Sequence, residues 1–406
     1  MLYKDEDYAE LDEQYIAHTY KRFPVTLLSG KGATAYDVEG KSYIDFGSGI
    51  GVNSFGYSNN NWIYAITEQL RKIQHTSNLY TTIPDVQLAR RLSEVTGYSR
   101  VFFGNSGAEA NEGAIKLARK YGVEKRGESC TNIITFRNSF HGRTVATLEA
   151  TGQDVFHKNF FPFTNGFRYV PVGDKEALTN AVDDTVCGIM IELVQGEGGV
   201  ITVDKDFVKF LESICKEKDI IFIIDEVQTG VGRTGTFLAS EQFDVKPNIT
   251  TLAKGLGGGL PIGAILMDEV VKDVFTYGDH GSTFGGNPVV CAGALAVLGE
   301  LFDNKYLERV SEKADYIREK LLEIPQVKDV SGLGMMIGIT LDEGFTSGEV
   351  AGKCVEKGLL ILTAKDKLRM LPPLNITKEE IDKGIRILKD SLFDLKYRVR
   401  NCWEIS

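Results

Sequence analysis

Apolar and polar positions change rhythm three times along this chain. Over residues 1–20 the few apolar positions, such as Tyr8, Leu11 and Tyr15, recur at helical spacing in a polar stretch, which predicts an amphipathic amino-terminal helix. Thr34–Phe46 alternates apolar and polar about Glu39-Gly40-Lys41, the period-two signature of a β-hairpin. From about residue 60, helical patterns at 61–74, 85–96, 107–122 and 288–302 surround apolar strands at 100–103, 131–136, 167–171, 187–192, 220–225 and 249–253. This alternation predicts an α/β fold with a mostly parallel, doubly wound sheet. Beyond 303 the texture becomes α+β, with helices near 306–323, 347–357 and 377–396 and strands near 327–330, 335–341 and 359–361. We expect a large domain of residues 59–302 and a smaller α+β domain of residues 303–406, with residues 1–58 packing against the smaller one. No internal repeat and no Pro- or Ser-rich linker is visible, so the parts should pack closely.

Composition narrows the function classes. A chain of 406 residues exceeds one ordinary core, in keeping with two lobes. A net charge of −10 and a pI of about 5.2 argue against a nucleic-acid partner held through phosphates. The six cysteines are scattered in mostly apolar stretches without a CxxC pair, which reads as free thiols in a reducing cytoplasm. No His/Cys metal spacing occurs, so no metal is expected. The acidic start of the chain lacks a signal h-region, and no apolar run reaches the ~18–20 residues a membrane span needs.

One apparent motif is a trap. Ala35, Gly40, Lys41 and Ser42 satisfy a loose phosphate-loop pattern, but the residues after Ser42 alternate as a strand, where such a loop must open a helix.

The chemistry gathers at strand ends. Asp225 closes the run Ile220–Ile224, and Lys254 follows the strand near 249–253 just before Gly255 and Gly257–Gly259. Ligands of open α/β sheets bind beyond such carboxyl ends. Pyridoxal 5′-phosphate needs this pair, a carboxylate for its ring nitrogen and a lysine for its Schiff base. Alone, each residue reads equally as a helix-capping Asp and a solvated Lys. Asn105-Ser106-Gly107-Ala108-Glu109 opens a helix whose first N–H groups suit a phosphate; the same residues also spell an ordinary cap, with Ser106 at the N-cap and Glu109 completing a capping box. In Ser139–Thr144, Phe140 has a ring that can stack on a heteroaromatic and Arg143 a fork for a carboxylate, or else a core ring and a surface ion pair. Glu197 is flanked by Gly196, Gly198 and Gly199, glycines that make its loop conformationally permissive; Val227 and Gln228 follow Asp225, and Ser282-Thr283 lie in a polar Gly loop ahead of a long helix.

Taken together and in order, these blocks resemble the class III, ornithine-type aminotransferases of fold type I. The likeness runs from about Tyr20 to residue 390 and, within the class, points to the branch acting on acetylornithine, through Tyr20–Val25, Ser139–Thr144, Gly278–Pro288 and Leu368–Leu374. It implies that Lys254 carries the cofactor covalently and serves as general acid/base, and that Asp225 keeps the ring nitrogen protonated. Val227 and Phe140 would cover the two ring faces, and Gln228 would meet the phenolic oxygen. Gly107 and Ala108 would bind the phosphate, completed by Thr283 of the partner subunit in a homodimer with shared sites. Arg143, Ser282 and Tyr20 would meet the amino-acid substrate. Arg369 would take the glutamate carboxylate, with Glu197 covering it when the other substrate binds. The same motifs would serve an aminotransferase for ornithine, succinylornithine or 4-aminobutyrate, and that alternative stays open. A non-catalytic binding protein on this fold is disfavoured by the intact Lys254, Asp225, Gln228 and Arg143. A nicotinamide dehydrogenase is disfavoured by the lack of G-x-G-x-x-G after the first strand.

Overall fold

The computed structural model describes residues 7–302 and 306–403. Residues 1–6 of the expected amino-terminal helix and the side chain of Cys402 lie outside the described residues. The described part of that helix is shorter than expected. Asp7 caps it, accepting from the N–H groups of Ala9 and Glu10, and it runs only over Tyr8–Tyr15.

Seven strands form the main sheet, in the spatial order Arg100–Gly104, Gly263–Met267, Ile249–Leu252, Ile221–Asp225, Val186–Ile191, Asn132–Phe136 and Phe167–Val170. Six run the same way, and Gly263–Met267 opposes both its neighbours. Every residue of Ile221–Asp225 is buried. Phe222 and Ile224 face one core while Ile221 and Ile223 face another, which is why this strand reads as a continuous apolar run and not as an alternating one.

The antiparallel strand Gly263–Met267 has no counterpart among the sequence expectations. It follows a Gly-rich loop and has a single β-branched residue, so its propensity signal is weak. The amphipathic helix Lys205–Lys218 was also without an expectation, although Phe207, Val208, Leu211, Ile214 and Cys215 keep helical spacing and Asp204 caps it. The hairpin of Thr34–Asp37 and Ser42–Asp45 is present, so Lys41 and Ser42 form no phosphate loop.

A two-stranded ribbon of Val194–Gln195 and Ile201–Thr202 and two smaller four-stranded sheets complete the sheets of the described residues. One four-stranded sheet is antiparallel, in the order Val327–Leu333, Met336–Leu341, Lys367–Met370, Leu362–Ala364. The other joins Leu27–Lys31 and the hairpin to Leu359–Leu360, which pairs parallel with Ser42–Asp45. The single strand expected near 359–361 is thus two short strands in different sheets. Among the described residues no helix is long and apolar enough to cross a membrane, and no side-chain cluster could hold a metal ion.

Candidate active site

Five parallel strands of the main sheet end at one cavity of about 470 Å³. Arg100–Gly104 leads to Gly107 and Ala108, Asn132–Phe136 to Phe140 and Arg143, and Val186–Ile191 to Glu192. Ile221–Asp225 supplies Asp225, Val227 and Gln228, and Ile249–Leu252 leads to Lys254. All of these residues line the cavity, as expected for the carboxyl edge of an open α/β sheet.

The helix Gly107–Arg126 begins at this cavity. The Ser106 hydroxyl accepts from the Glu109 N–H at 3.1 Å. The reciprocal half of the expected capping box is shifted by one residue, since the Glu109 carboxylate accepts from the N–H of Asn105. The Gly107 and Ala108 N–H groups belong to the first helical turn, which lacks intrahelical acceptors and carries the positive end of the dipole. Gly107 must be glycine because a Cβ there would stand 2.7 Å from a Val227 methyl. That close approach brings backbone N–H groups and the Val227 side chain to one wall.

Asp225 is 4% exposed. Its carboxylate accepts from the Asn111 amide at 2.7 Å and the Val227 N–H at 3.0 Å, and lies 2.8 Å from His141 Nδ1. Glu192 lies in the same wall and accepts the Phe140 N–H at 2.8 Å. Burial pushes its carboxyl well above the ordinary carboxylate range, and the neighbouring Asp225 charge pushes the same way. Asn111, His141 and Glu192 stood inside the quoted motifs without an assigned role, because what they do depends on contacts across the fold.

Lys254 begins a short helical turn with φ 41°, a region costly for a side chain with a Cβ and one that needs support from its surroundings. Burial lowers the affinity of its amine for a proton. The Arg369 charge acts in the same direction, while Glu197, Asp225 and Glu192 oppose it. The amine is therefore more easily freed of its proton than that of a solvated lysine.

Arg369 reaches this site from the antiparallel sheet. It is 3% exposed and donates to Glu197 at 2.6 Å and, weakly, to Gln228 at 3.4 Å. Its Nε has no hydrogen-bond partner. The loop glycines beside Glu197 are packed more tightly than expected. A Cβ on Gly196 would stand 2.4 Å from the Gln228 side chain, and one on Gly198 would stand 2.7 Å from the Asn138 carbonyl oxygen; only Gly199 has a positive φ, 109°.

Arg143 is exposed, with its guanidinium 4.1 Å from the centroid of the Phe156 ring. It also borders a neighbouring cavity of about 440 Å³, walled by Tyr20, Phe160 and Phe163 among others. Tyr20 belongs to that second cavity. Thr283 is exposed and outside the main cavity, and the Ser282 hydroxyl accepts from Asn105 at 3.0 Å.

The cavity suits pyridoxal phosphate. It is lined by helix-start N–H groups, a buried carboxylate and a lysine amine whose proton is loosened, with a Gly107–Val227 contact that a side chain at position 107 would block.

Comparison with known proteins agrees. Residues 15–392 match the model of the family described as aminotransferase class-III. The acetylornithine aminotransferase of Haemophilus ducreyi is 50% identical over 387 residues, covering 95% of this chain and 98% of that protein. That of Caldanaerobacter subterraneus is 49% identical over 391 residues, covering 95% and 99%. Among solved structures, the ornithine aminotransferase of Toxoplasma gondii superposes with a TM-score of 0.92 at 33% identity, covering 97% of this chain and 96% of that one. The acetylornithine aminotransferase of Elizabethkingia anophelis gives 0.84 at 33% identity, covering 95% and 98%. The sheet order, the cavity at its carboxyl edge and these matches have one source: the chain belongs to the class III aminotransferases, enzymes of fold type I that work with pyridoxal phosphate.

Proposed function

We propose that this enzyme is an acetylornithine aminotransferase of arginine biosynthesis. It moves the terminal amino group of N2-acetyl-L-ornithine to 2-oxoglutarate, giving N-acetylglutamate semialdehyde and glutamate. The observation that carries the reading is the pair of buried Arg369 and partly exposed Glu197, 2.6 Å apart, with Arg369 also reaching Gln228 of the cavity that holds Lys254. A single site must accept glutamate, with a carboxylate next to its reacting amine, and an ω-amine, with a CH₂ there. With Glu197 on it, Arg369 is masked and the ω-amine meets no bare cation. With Glu197 away, the guanidinium takes the glutamate carboxylate as a bidentate partner. Arg143, at the rim and shared with the second cavity, takes the distant carboxylate of the acylated substrate, with Tyr20 in that second cavity; Ser282, held by Asn105, is the further candidate contact. Eight relatives with 41–50% identity that carry the name acetylornithine aminotransferase support the choice of amino donor.

In this reading Gly107 and Ala108 hold the cofactor phosphate, Val227 and Phe140 hold the ring between them, Gln228 meets its phenolic oxygen and Asp225 its nitrogen. Lys254 carries the cofactor covalently. Bound there, pyridoxal phosphate supplies the electron sink for the carbanion left when the reacting carbon loses its proton. Lys254, released by the incoming amine, moves that proton as general acid/base, a task that suits an amine with lowered proton affinity.

Thr283 lies exposed and outside its own chain's cavity, which supports its serving the phosphate of a second copy in a homodimer. Exposed Leu79, Tyr80, Ile83 and Phe284 offer that copy apolar surface, and Asn78 holds the Ser282 carbonyl at 2.8 Å. Mixing Lys254→Ala with Thr283→Ala subunits is expected to restore activity through one intact site per heterodimer. Heterodimers without activity would remove the shared site. The division at residues 58 and 302, and a cytoplasmic setting supported by five free buried cysteines, belong to the same reading.

The deciding experiment is a steady-state comparison of acetylornithine, succinylornithine, ornithine and 4-aminobutyrate, each with 2-oxoglutarate. We expect acetylornithine to have the highest kcat/KM. A higher value for ornithine would move the enzyme to the other branch of the class.

A further inference from the structure

Asp225 is held by more donors than a carboxylate at a strand end requires, and hydrogen accounting shows what each one does. The Thr251 hydroxyl lies 2.7 Å from Asn111 Oδ1. An amide oxygen only accepts, so Thr251 donates there and turns the Asn111 NH₂ group toward Asp225. The two hydrogens of that NH₂ go to Asp225 Oδ2 and to the His141 carbonyl oxygen, each at 2.7 Å. An ionised carboxylate also only accepts, so the 2.8 Å contact places a hydrogen on His141 Nδ1. That leaves His141 Nε2 buried without a hydrogen-bond partner, on a side chain with no exposure. An apolar side chain would fill the space without leaving a buried nitrogen unmatched. What the imidazole adds is one more donor on Asp225.

The neighbouring carboxyl makes that donor matter. Glu192 and Asp225 share one wall, and two acids in one dry site compete for the single charge it tolerates. Glu192 receives one N–H, from Phe140. Asp225 receives three, from Asn111, His141 and Val227. Hydrogen bonds to the ionised form favour it; Asn111 and Val227 alone outnumber the single donor on Glu192, which puts the charge on Asp225, and the imidazole then adds to that preference.

We propose that His141, aligned with Asn111 and Thr251, is a positioning residue that holds Asp225 ionised and oriented for the cofactor's ring nitrogen. This rests on the reading of Asp225 given above.

The test is a binding titration of full-length protein stripped of cofactor. The ligands are pyridoxamine 5′-phosphate and its 1-deaza analogue, in which carbon replaces the ring nitrogen. Neither forms a covalent bond to Lys254, so the ratio of the two dissociation constants reports what the ring nitrogen contributes. Wild-type protein should favour the natural amine. In His141→Ala the ratio should fall about tenfold, the scale of one charge-assisted hydrogen bond. In His141→Asn, whose amide N–H stands near the former Nδ1, it should stay close to wild type. Equal weakening of both ligands in His141→Ala, or an unchanged ratio, overturns the proposal. If His141→Ala does not fold, Thr251→Val removes the hydroxyl that aligns Asn111 at 2.7 Å and lies, more weakly, 3.5 Å from Asp225 Oδ1. It should lower the ratio by about threefold, about half of one such bond in free-energy terms, and no change there overturns the proposal as well. A wild-type protein that binds both ligands equally overturns the Asp225 reading itself. Wild-type discrimination that survives intact in His141→Ala overturns only the role of His141.

Discussion

Asp225 and Arg369 are both buried ions, 4% and 3% exposed, yet they are held in opposite ways. Asp225 stands at the end of a central strand, and its donors come from a long helix, a buried imidazole and its own chain two residues on. Arg369 has one short contact to a carboxylate on a glycine loop, one long contact to Gln228, and an Nε without a partner. The first ion is saturated by elements that cannot move without disturbing the sheet. The second keeps spare donors and a partner, Glu197, whose side chain is 27% exposed. A group that must do the same thing in every turnover is fixed on the sheet. One that must alternate between two substrates is left with an exchangeable partner.

Changes at the fixed end should damage both half-reactions alike, and those at the exchangeable end should separate them. The largest loss belongs to Lys254→Ala. Both half-reactions should slow by about 10³-fold or more in single-turnover absorbance traces, since nucleophile and proton carrier go together. Retained turnover would mean that another lysine holds the cofactor. Asp225→Asn follows. A loss of about two pKa units at the ring nitrogen corresponds to ~2.7 kcal/mol, or about 10²-fold, in each half-reaction. A loss confined to one substrate would break the comparison.

Glu197→Gln should sharpen it. Without its anionic partner, Arg369 is left buried and unpaired while the ω-amine reacts, a state that costs ~3–5 kcal/mol in comparable sites. We expect the acetylornithine half-reaction to slow about 10–100-fold and the glutamate one to change by less than about threefold, with relief through water setting the lower figure. Equal losses would show that Glu197 is a fixed part of the loop. The smallest effect is expected for Gly196→Ala. Its Cβ would stand 2.4 Å from the Gln228 side chain, and moving that amide should lower kcat/KM for both substrates by about three- to tenfold, consistent with ~1 kcal/mol of repacking. A wild-type value would mean the loop gives way freely.

The parts of the site that follow directly from one strand or helix were legible in the sequence. Ile220–Ile224 is a run of five apolar residues, so its burial and the position of Asp225 at its end could be read locally. The same holds for Lys254 after its strand and Gly107 at its helix start. What escaped was long-range. The Asn111–Asp225 bond joins residues 114 apart and the His141–Asp225 contact residues 84 apart, and no periodicity encodes such pairings. The strand Gly263–Met267 escaped because its antiparallel place between two parallel strands is settled by tertiary packing. The glycines about Glu197 suggest freedom from their sequence, whereas a Cβ on Gly198 would meet the Asn138 carbonyl and one on Gly196 would displace the Gln228 amide.

The parallel pairing of Leu359–Leu360 with Ser42–Asp45 has a consequence for biogenesis. On the ribosome the amino-terminal hairpin emerges early, but the strand that closes its open edge is translated only after about 300 more residues. At typical elongation rates of about 5–20 residues per second, that edge stays unpaired for about 15–60 seconds. An unpaired edge is a template for other chains. Nascent chains stalled before residue 359 should therefore aggregate or recruit a holdase more readily than chains stalled after residue 370. The segment about residue 360 acts in this sense as a chaperone for the strand at Ser42–Asp45, and a carboxy-terminal truncation would be felt near the amino terminus.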